Sequence, residues 1–149
     1  MLNYFYIFFG KVMIMKPIIE YIQKKYDPLC VILYGSYADG TNHLNSDFDA
    51  LVITADHEPF HDTSLVAGIP LDVFVYPAGY FEGAYACEDF VQIFDGRMIM
   101  DRHAIGKSLL ANVRAYLQNR PGKTSAEIQA NIDWCVKMSA RAKRCDCEG

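Results

Sequence analysis

Apolar positions in this chain change period several times, and each change predicts a new element. Ile18, Ile19, Ile22 and Tyr26 recur at helical spacing, which predicts a helix over Lys16–Tyr26 with Pro17 in its first turn and Asp27-Pro28 as its stop. Leu29 to Tyr34 is a continuous, β-branched-rich apolar run, the pattern of a buried strand. Gly35-Ser36 ends it, Tyr37 to Gly40 predicts a short helix, and Thr41 to Ser46 a polar loop. A second strand spans Asp47 to Thr54, and Asp56 to Phe60 is expected to be a loop. Ser64 to Val66 and Ile69 to Tyr76 predict a hairpin turned at Ala67-Gly68. Val91–Phe94 and Arg97–Met100 predict two short strands around Asp95-Gly96.

Two helices follow. The first, His103 to Gln118, places Ile105, Leu109, Val113 and Leu117 at steps of four, and Arg120-Pro121-Gly122 ends it. The second opens on Thr124-Ser125-Ala126-Glu127, a capping-box pattern, and is expected to bury Ile128, Ile132, Cys135 and Met138. Its basic residues, Lys137 to Arg144, are expected to form a solvated face. The expected fold is α/β (α+β): a small mixed β-sheet covered by helices. Residues 1–102 form the expected main domain, with 1–15 expected as an N-terminal extension to it. Residues 103–149 are expected to form a C-terminal helical segment that reads as the start of a truncated helical domain.

Composition narrows the classes. The chain has 149 residues, enough for one domain with a core, and 52% hydrophobic with 21% charged residues is an ordinary globular mix. A net charge of −4 argues against a nucleic-acid partner, which normally requires a basic face. Five cysteines, at 30, 87, 135, 145 and 147, make no disulfide framework, and reduced thiols fit a cytoplasmic protein. The aromatic run Tyr4 to Phe9 is too short to span a membrane, because Gly10-Lys11 interrupts it, and it lacks the marks of a signal peptide.

The chemistry lies in acids at apolar places. Asp47 and Asp49 sit two apart on an extended run and so face one side, about 7 Å apart along the backbone. Asp72, in Leu71-Asp72-Val73, belongs to a strand that could lie alongside. Asp is disfavoured in strands, and two ionised carboxylates about 4 Å apart repel by roughly 4 kcal/mol at an effective dielectric near 20. Such a cluster takes up protons or binds a hard cation. Mg²⁺ takes few protein carboxylates and coordinates substrate phosphates besides. Gly35 allows close backbone approach and Ser36 adds a hydroxyl where phosphate could be held.

Taken together, Leu33-Tyr34-Gly35-Ser36, Asp47-Phe48-Asp49-Ala50-Leu51-Val52 and Leu71-Asp72-Val73-Phe74 resemble the nucleotidyltransferase superfamily. It includes DNA polymerase beta, the kanamycin nucleotidyltransferase type of antibiotic-modifying enzymes and the minimal nucleotidyltransferases. The likeness covers about Pro17 to Tyr76. It implies a small mixed sheet with helices on one side. It also implies two Mg²⁺ ions held by Asp47, Asp49 and Asp72, a nucleoside triphosphate such as ATP with its phosphates on Gly35 and Ser36, and Asp72 as the base or its positioner. The implied reaction moves a nucleoside monophosphate, AMP from ATP first, onto a hydroxyl of an aminoglycoside-like small molecule or a protein, releasing pyrophosphate. Tyr37, Ala38 and Asp39 stand where many small members carry Arg or Lys.

A competing expectation is an inactive binding module or antitoxin-type partner, docking a partner chain or a second copy through the C-terminal helices. A template-directed polymerase fits the acidic charge less well. His43, His57, His61 and His103 are expected to be surface or capping residues, and Asn45 or Ser46 to buttress Asp47 or touch substrate.

Overall fold

The computed structural model describes residues 15–146, with side chains for residues 15–140. The N-terminal aromatic run and Cys147 lie outside the described residues. The chain divides into two compact units between Gln118 and Asn119.

The first unit begins with helix α1 (15–26), which carries Ile18, Ile22 and Tyr26 on its buried face. It continues through β1 (Cys30–Tyr34), α2 (Gly35–Asp39), β2 (Phe48–Thr54), β3 (Phe60–Asp62), β4 (Leu65–Val66) and β5 (Ile69–Pro77). Two 3₁₀ segments, Ala78–Phe81 and Cys87–Ile93, precede β6 (Arg97–Asp101) and α3 (Ile105–Asn119). The sheet has six strands in the order β3-β5-β2-β1-β6, with β4 paired to β5. Only β2 and β5 run parallel among these pairs, so the sheet is mixed.

Both faces of this sheet are covered. Val31, Leu33, Phe48, Ala50, Val52, Val73 and Val75 pack against α1 and against Tyr37 of α2. Cys30, Ile32, Leu51 and Ile53 point the other way, into Phe90, Ile93, Leu109, Leu110 and Val113. This differs from the one-sided arrangement implied by the resemblance. The cause is legible in β1, apolar at every position, and in the unbroken apolar run Ala50–Ile53 of β2: such runs need cover on both sides.

Three further expectations change. Phe60, His61 and Asp62, placed in or beside a loop by the sequence, form β3 and pair with Val75, Phe74 and Val73 of β5. Val91–Phe94 is no strand. The 3₁₀ turn over Cys87–Ile93 puts Phe90 and Ile93, three apart, on one buried face. Strand β6 instead pairs with β1. The β4–β5 hairpin forms as expected, with Ala67 (φ 52°) and Gly68 (φ 78°) both left-handed, as a two-residue hairpin turn of primed type requires.

The second unit is built on α4 (Ser125–Asp146). Its capping box closes: Thr124 N and Oγ1 donate to Glu127 Oε2 (2.7 and 2.9 Å), and Glu127 N donates back to Thr124 Oγ1 at 3.3 Å. The expected burial of its apolar face is corrected. Ile128 and Ile132 are about half exposed (48% and 50%), Cys135 is exposed and Met138 is half-buried. Among the described residues of its own unit there is no second element for the helix to pack on. Among the described residues no helix is long and apolar enough to cross a membrane.

Candidate active site

Register alone brings two of the three expected acids together. In the parallel pairing of β2 and β5, Asp49 stands opposite Asp72, and in the antiparallel pairing of β1 and β2, Tyr34 stands opposite Asp49. Alternation then settles the face. Phe48 and Ala50 point toward α1, so Asp49 points to the other side with Leu51, beyond the cover supplied by the 3₁₀ turn. Asp49 and Asp72 are both half-buried.

Asp47 stands one residue ahead of β2, in the loop rather than in the strand, and is exposed. That loop is tied off locally: Ser46 N donates to His43 O (3.0 Å), and His43 N donates to Ser46 Oγ (2.9 Å). Ser46 is therefore a buttress of the approach to Asp47.

Burial raises the Asp49 carboxyl, and the charges of Asp72 and Asp47 with a hydrogen bond to Asp72 push it further, up to about 6. The Tyr34 hydroxyl is also pushed up, first by burial and then by Asp72 and Asp49, while a hydrogen bond with Gln92 opposes this. Among the described residues no lysine or arginine pairs with Asp47, Asp49 or Asp72, so none balances the negative charge concentrated here.

Gly35 opens α2 at φ +66°, directly against this pair, and a Cβ at that position would collide with the Asp49 carboxylate. Ser36 follows it, half-buried, and its carbonyl accepts from Gly40 N (3.0 Å) and Asn42 N (3.1 Å). Asp39 is engaged by Thr41, whose N and Oγ1 donate to its Oδ1 at 2.8 and 2.7 Å. Its charge is held in that turn.

His61 is exposed, as the sequence led us to expect, and it also touches this site. Its Nε2 lies 2.5 Å from Asp72 Oδ1, and its ring stacks on Phe74 with centroids 4.2 Å apart and planes 3° apart. A three-residue edge strand is too short to show a period, so only pairing with β5 reveals its direction. Beside it, Pro59, Phe60, His61, Phe74 and Tyr76 line a cleft of about 220 Å³.

The other residue the sequence did not single out is Asp62, 1% exposed on the α1 side of β3. It accepts from Tyr26 Oη (2.6 Å), Tyr21 Oη (3.0 Å), Lys25 Nζ (3.0 Å) and Ser64 N (3.0 Å). Burial would raise its carboxyl, but the bonds from Ser64, Tyr26 and Lys25 outweigh that and hold it well below the usual range.

Among the described residues no group of three His, Cys, Asp or Glu forms a ready-made metal cage. The donor set still suits a hard divalent ion. Mg²⁺ is commonly held by one or two carboxylates, with waters and substrate phosphates completing its shell. Asp49 and Asp72, adjacent, half-buried and unneutralised by any described lysine or arginine, are that kind of pair.

No curated protein matches this chain. A solved structure described as "Crystal structure of the toxin-antitoxin with AMP-PNP" aligns with it at 20% identity and a TM-score of 0.47, covering 81% of this chain and 97% of that one. Residues 16–69 match the family model described as "Polymerase beta, Nucleotidyltransferase", a stretch that takes in α1, Gly35-Ser36 and the Asp47-Phe48-Asp49 motif. Over those residues the chain is similar to the polymerase beta type of nucleotidyltransferase domain.

Proposed function

We propose that this protein is a Mg²⁺-dependent nucleotidyltransferase that moves AMP from ATP to a hydroxyl group of a small molecule or protein. One observation carries the reading: Asp49 and Asp72 are register partners on parallel strands, facing one side with no described lysine or arginine paired to either, and with the Gly35 backbone pressed against Asp49. A carboxyl held up by burial and by the charge of a neighbouring acid, as Asp49 is beside Asp72, is costly to fold in its ionised form, and binding a cation offsets the cost.

In this reading Asp47, Asp49 and Asp72 hold two magnesium ions, which would supply charge neutralisation for the triphosphate and the leaving pyrophosphate. Gly35 and Ser36 hold the β/γ-phosphates: the glycine leaves room for the Asp49 carboxylate beside them, and Ser36 contributes its hydroxyl. Asp72 lies on the open side of the pair, half-buried, where it can accept the proton of an acceptor hydroxyl or orient that hydroxyl toward the α-phosphorus. The buried Tyr34, opposite Asp49, keeps water from the inner side of the acids.

Calorimetry with ATP and Mg²⁺ tests the reading directly. Wild-type protein should bind ATP only with the metal, and Asp47→Ala/Asp49→Ala should lose that binding. Incubation with ATP and candidate acceptors should then add one adenylyl mass to the acceptor. Binding of ATP that ignores both metal and acids would defeat the proposal.

A further inference from the structure

We infer that His61 is a positioning residue that fixes the rotation of the Asp72 carboxylate, on a platform that Asp62 anchors from beneath. This rests on the nucleotidyl-transfer reading of the acid pair.

The geometry begins with β3. His61 pairs opposite Phe74 in antiparallel register, so its ring lies flat on Phe74 and reaches diagonally to the residue two positions earlier on the same face, Asp72. There Nε2 meets Asp72 Oδ1 at 2.5 Å. An ionised carboxylate only accepts hydrogen bonds, so Nε2 carries the hydrogen and the imidazole donates it. With one oxygen held by His61, the carboxylate no longer turns freely about its last bond, and its orientation toward Asp49 is fixed.

A three-residue edge strand would ordinarily be a loose support. Here the next side chain, Asp62, turns to the opposite face and is tied to Tyr21, Lys25 and Tyr26 of α1 and to Ser64 N. Lys25 also lies over the rings of Tyr21, Tyr26 and Phe60, at 5.0, 5.1 and 5.6 Å from their centroids. Adjacent residues of β3 therefore do different work: Asp62 holds the strand on α1, and His61 holds the acid on β5. Residues that orient a ligating carboxylate typically change metal affinity or activity by about 10–100-fold when removed.

Two variants separate the hydrogen bond from the stacking. His61→Phe keeps an aromatic ring on Phe74 but has no donor, and His61→Gln supplies an N–H donor without the ring. We expect His61→Phe to melt near the wild-type temperature, with kcat and Mg²⁺-dependent ATP affinity falling about 10–100-fold, and His61→Gln to recover most of both. Nitrogen-15 imidazole spectra of the metal-free protein at pH 8 should show His61 protonated on Nε2, and Asp72→Ala should release it into a mixture of tautomers. Unchanged kcat and metal-dependent binding in His61→Phe, in a wild-type protein that is active, would overturn this inference alone. A tautomer indifferent to Asp72→Ala would also overturn it. A wild-type protein that binds no ATP with magnesium would remove the transfer reading and this one together.

Discussion

The Asp49 carboxylate occupies the place where a side chain on Gly35 would begin. A Cβ there would collide with Asp49 Oδ2 and lie 3.1 Å from Cγ, and the backbone at +66° is itself in the region that favours glycine. Gly35→Ala should therefore displace Asp49 as well as strain the turn. Strain of this kind costs about 1–2 kcal/mol, and a displacement near 1 Å at a reacting centre costs roughly 100-fold in rate. Thermal melts alongside adenylyl-transfer assays would check both, and an active Gly35→Ala protein would show that the contact has no functional weight.

Asp49 also makes a pH prediction. Its folded pKa is raised, to about 6, by burial and by Asp72 and Asp47, above an unfolded value of about 3.9. Between those values the native state holds more protons than the unfolded chain, so this group's contribution to stability falls as pH rises from about 4 to 6. Above that interval the full penalty remains. Asp49→Asn should be more stable than wild type at pH 8, and the gap should narrow at pH 4. Urea unfolding at both pH values decides it, and an equal or larger gap at pH 4 would assign the effect to packing.

The sequence made much of this legible because buried strands and acids write strong patterns. The apolar run of β1, the Gly35-Ser36 break, the Asp49 and Asp72 positions and the Ala67-Gly68 turn all read correctly from local chemistry. What escaped depended on partners distant in sequence. His61 acquires its direction only from Phe74 and Asp72, and Asp62 its burial only from α1, 36 residues away at Tyr26. The 3₁₀ turn at Phe90 and Ile93 looked like a strand because four residues, Val91 to Phe94 with Gln92 among them, are too few to reveal a period.

Asp62 should prove a stability centre. Removing one partner of a buried charged pair typically costs about 3–5 kcal/mol, and deleting one hydrogen bond to a charged group about 1.5–3 kcal/mol. Asp62→Ala should fall near the first range and Tyr26→Phe near the second. Its depressed pKa sets the opposite pH sense to Asp49: the stabilisation is present at neutral pH and is lost progressively as pH falls below about 4. Guanidinium unfolding of both variants, with an acid titration of the wild type, would test this.

Gly106 supplies a prediction that runs against helix propensity. It lies in the first turn of α3, where Asp101 Oδ1 accepts from its N at 3.2 Å. A Cβ there would collide with Cys30 Sγ and come within 2.8 Å of Met98 Cε. Gly106→Ala should destabilise by about 1–3 kcal/mol, the usual range for overpacking, although alanine is the better helix former. A rise in melting temperature would mean that Met98 yields easily.

The meeting of Asp49 with Asp72 is written in the ladder between β2 and β5, not in the chain that joins them. Lengthening the turn after Thr54 therefore leaves the acids facing each other so long as β3 still docks. Slipping one strand by a single residue turns one acid inward to the α1 side and leaves the other alone. This chain should tolerate inserted tags or loops around residues 55–58 and lose its chemistry to a one-residue insertion between Phe48 and Asp49.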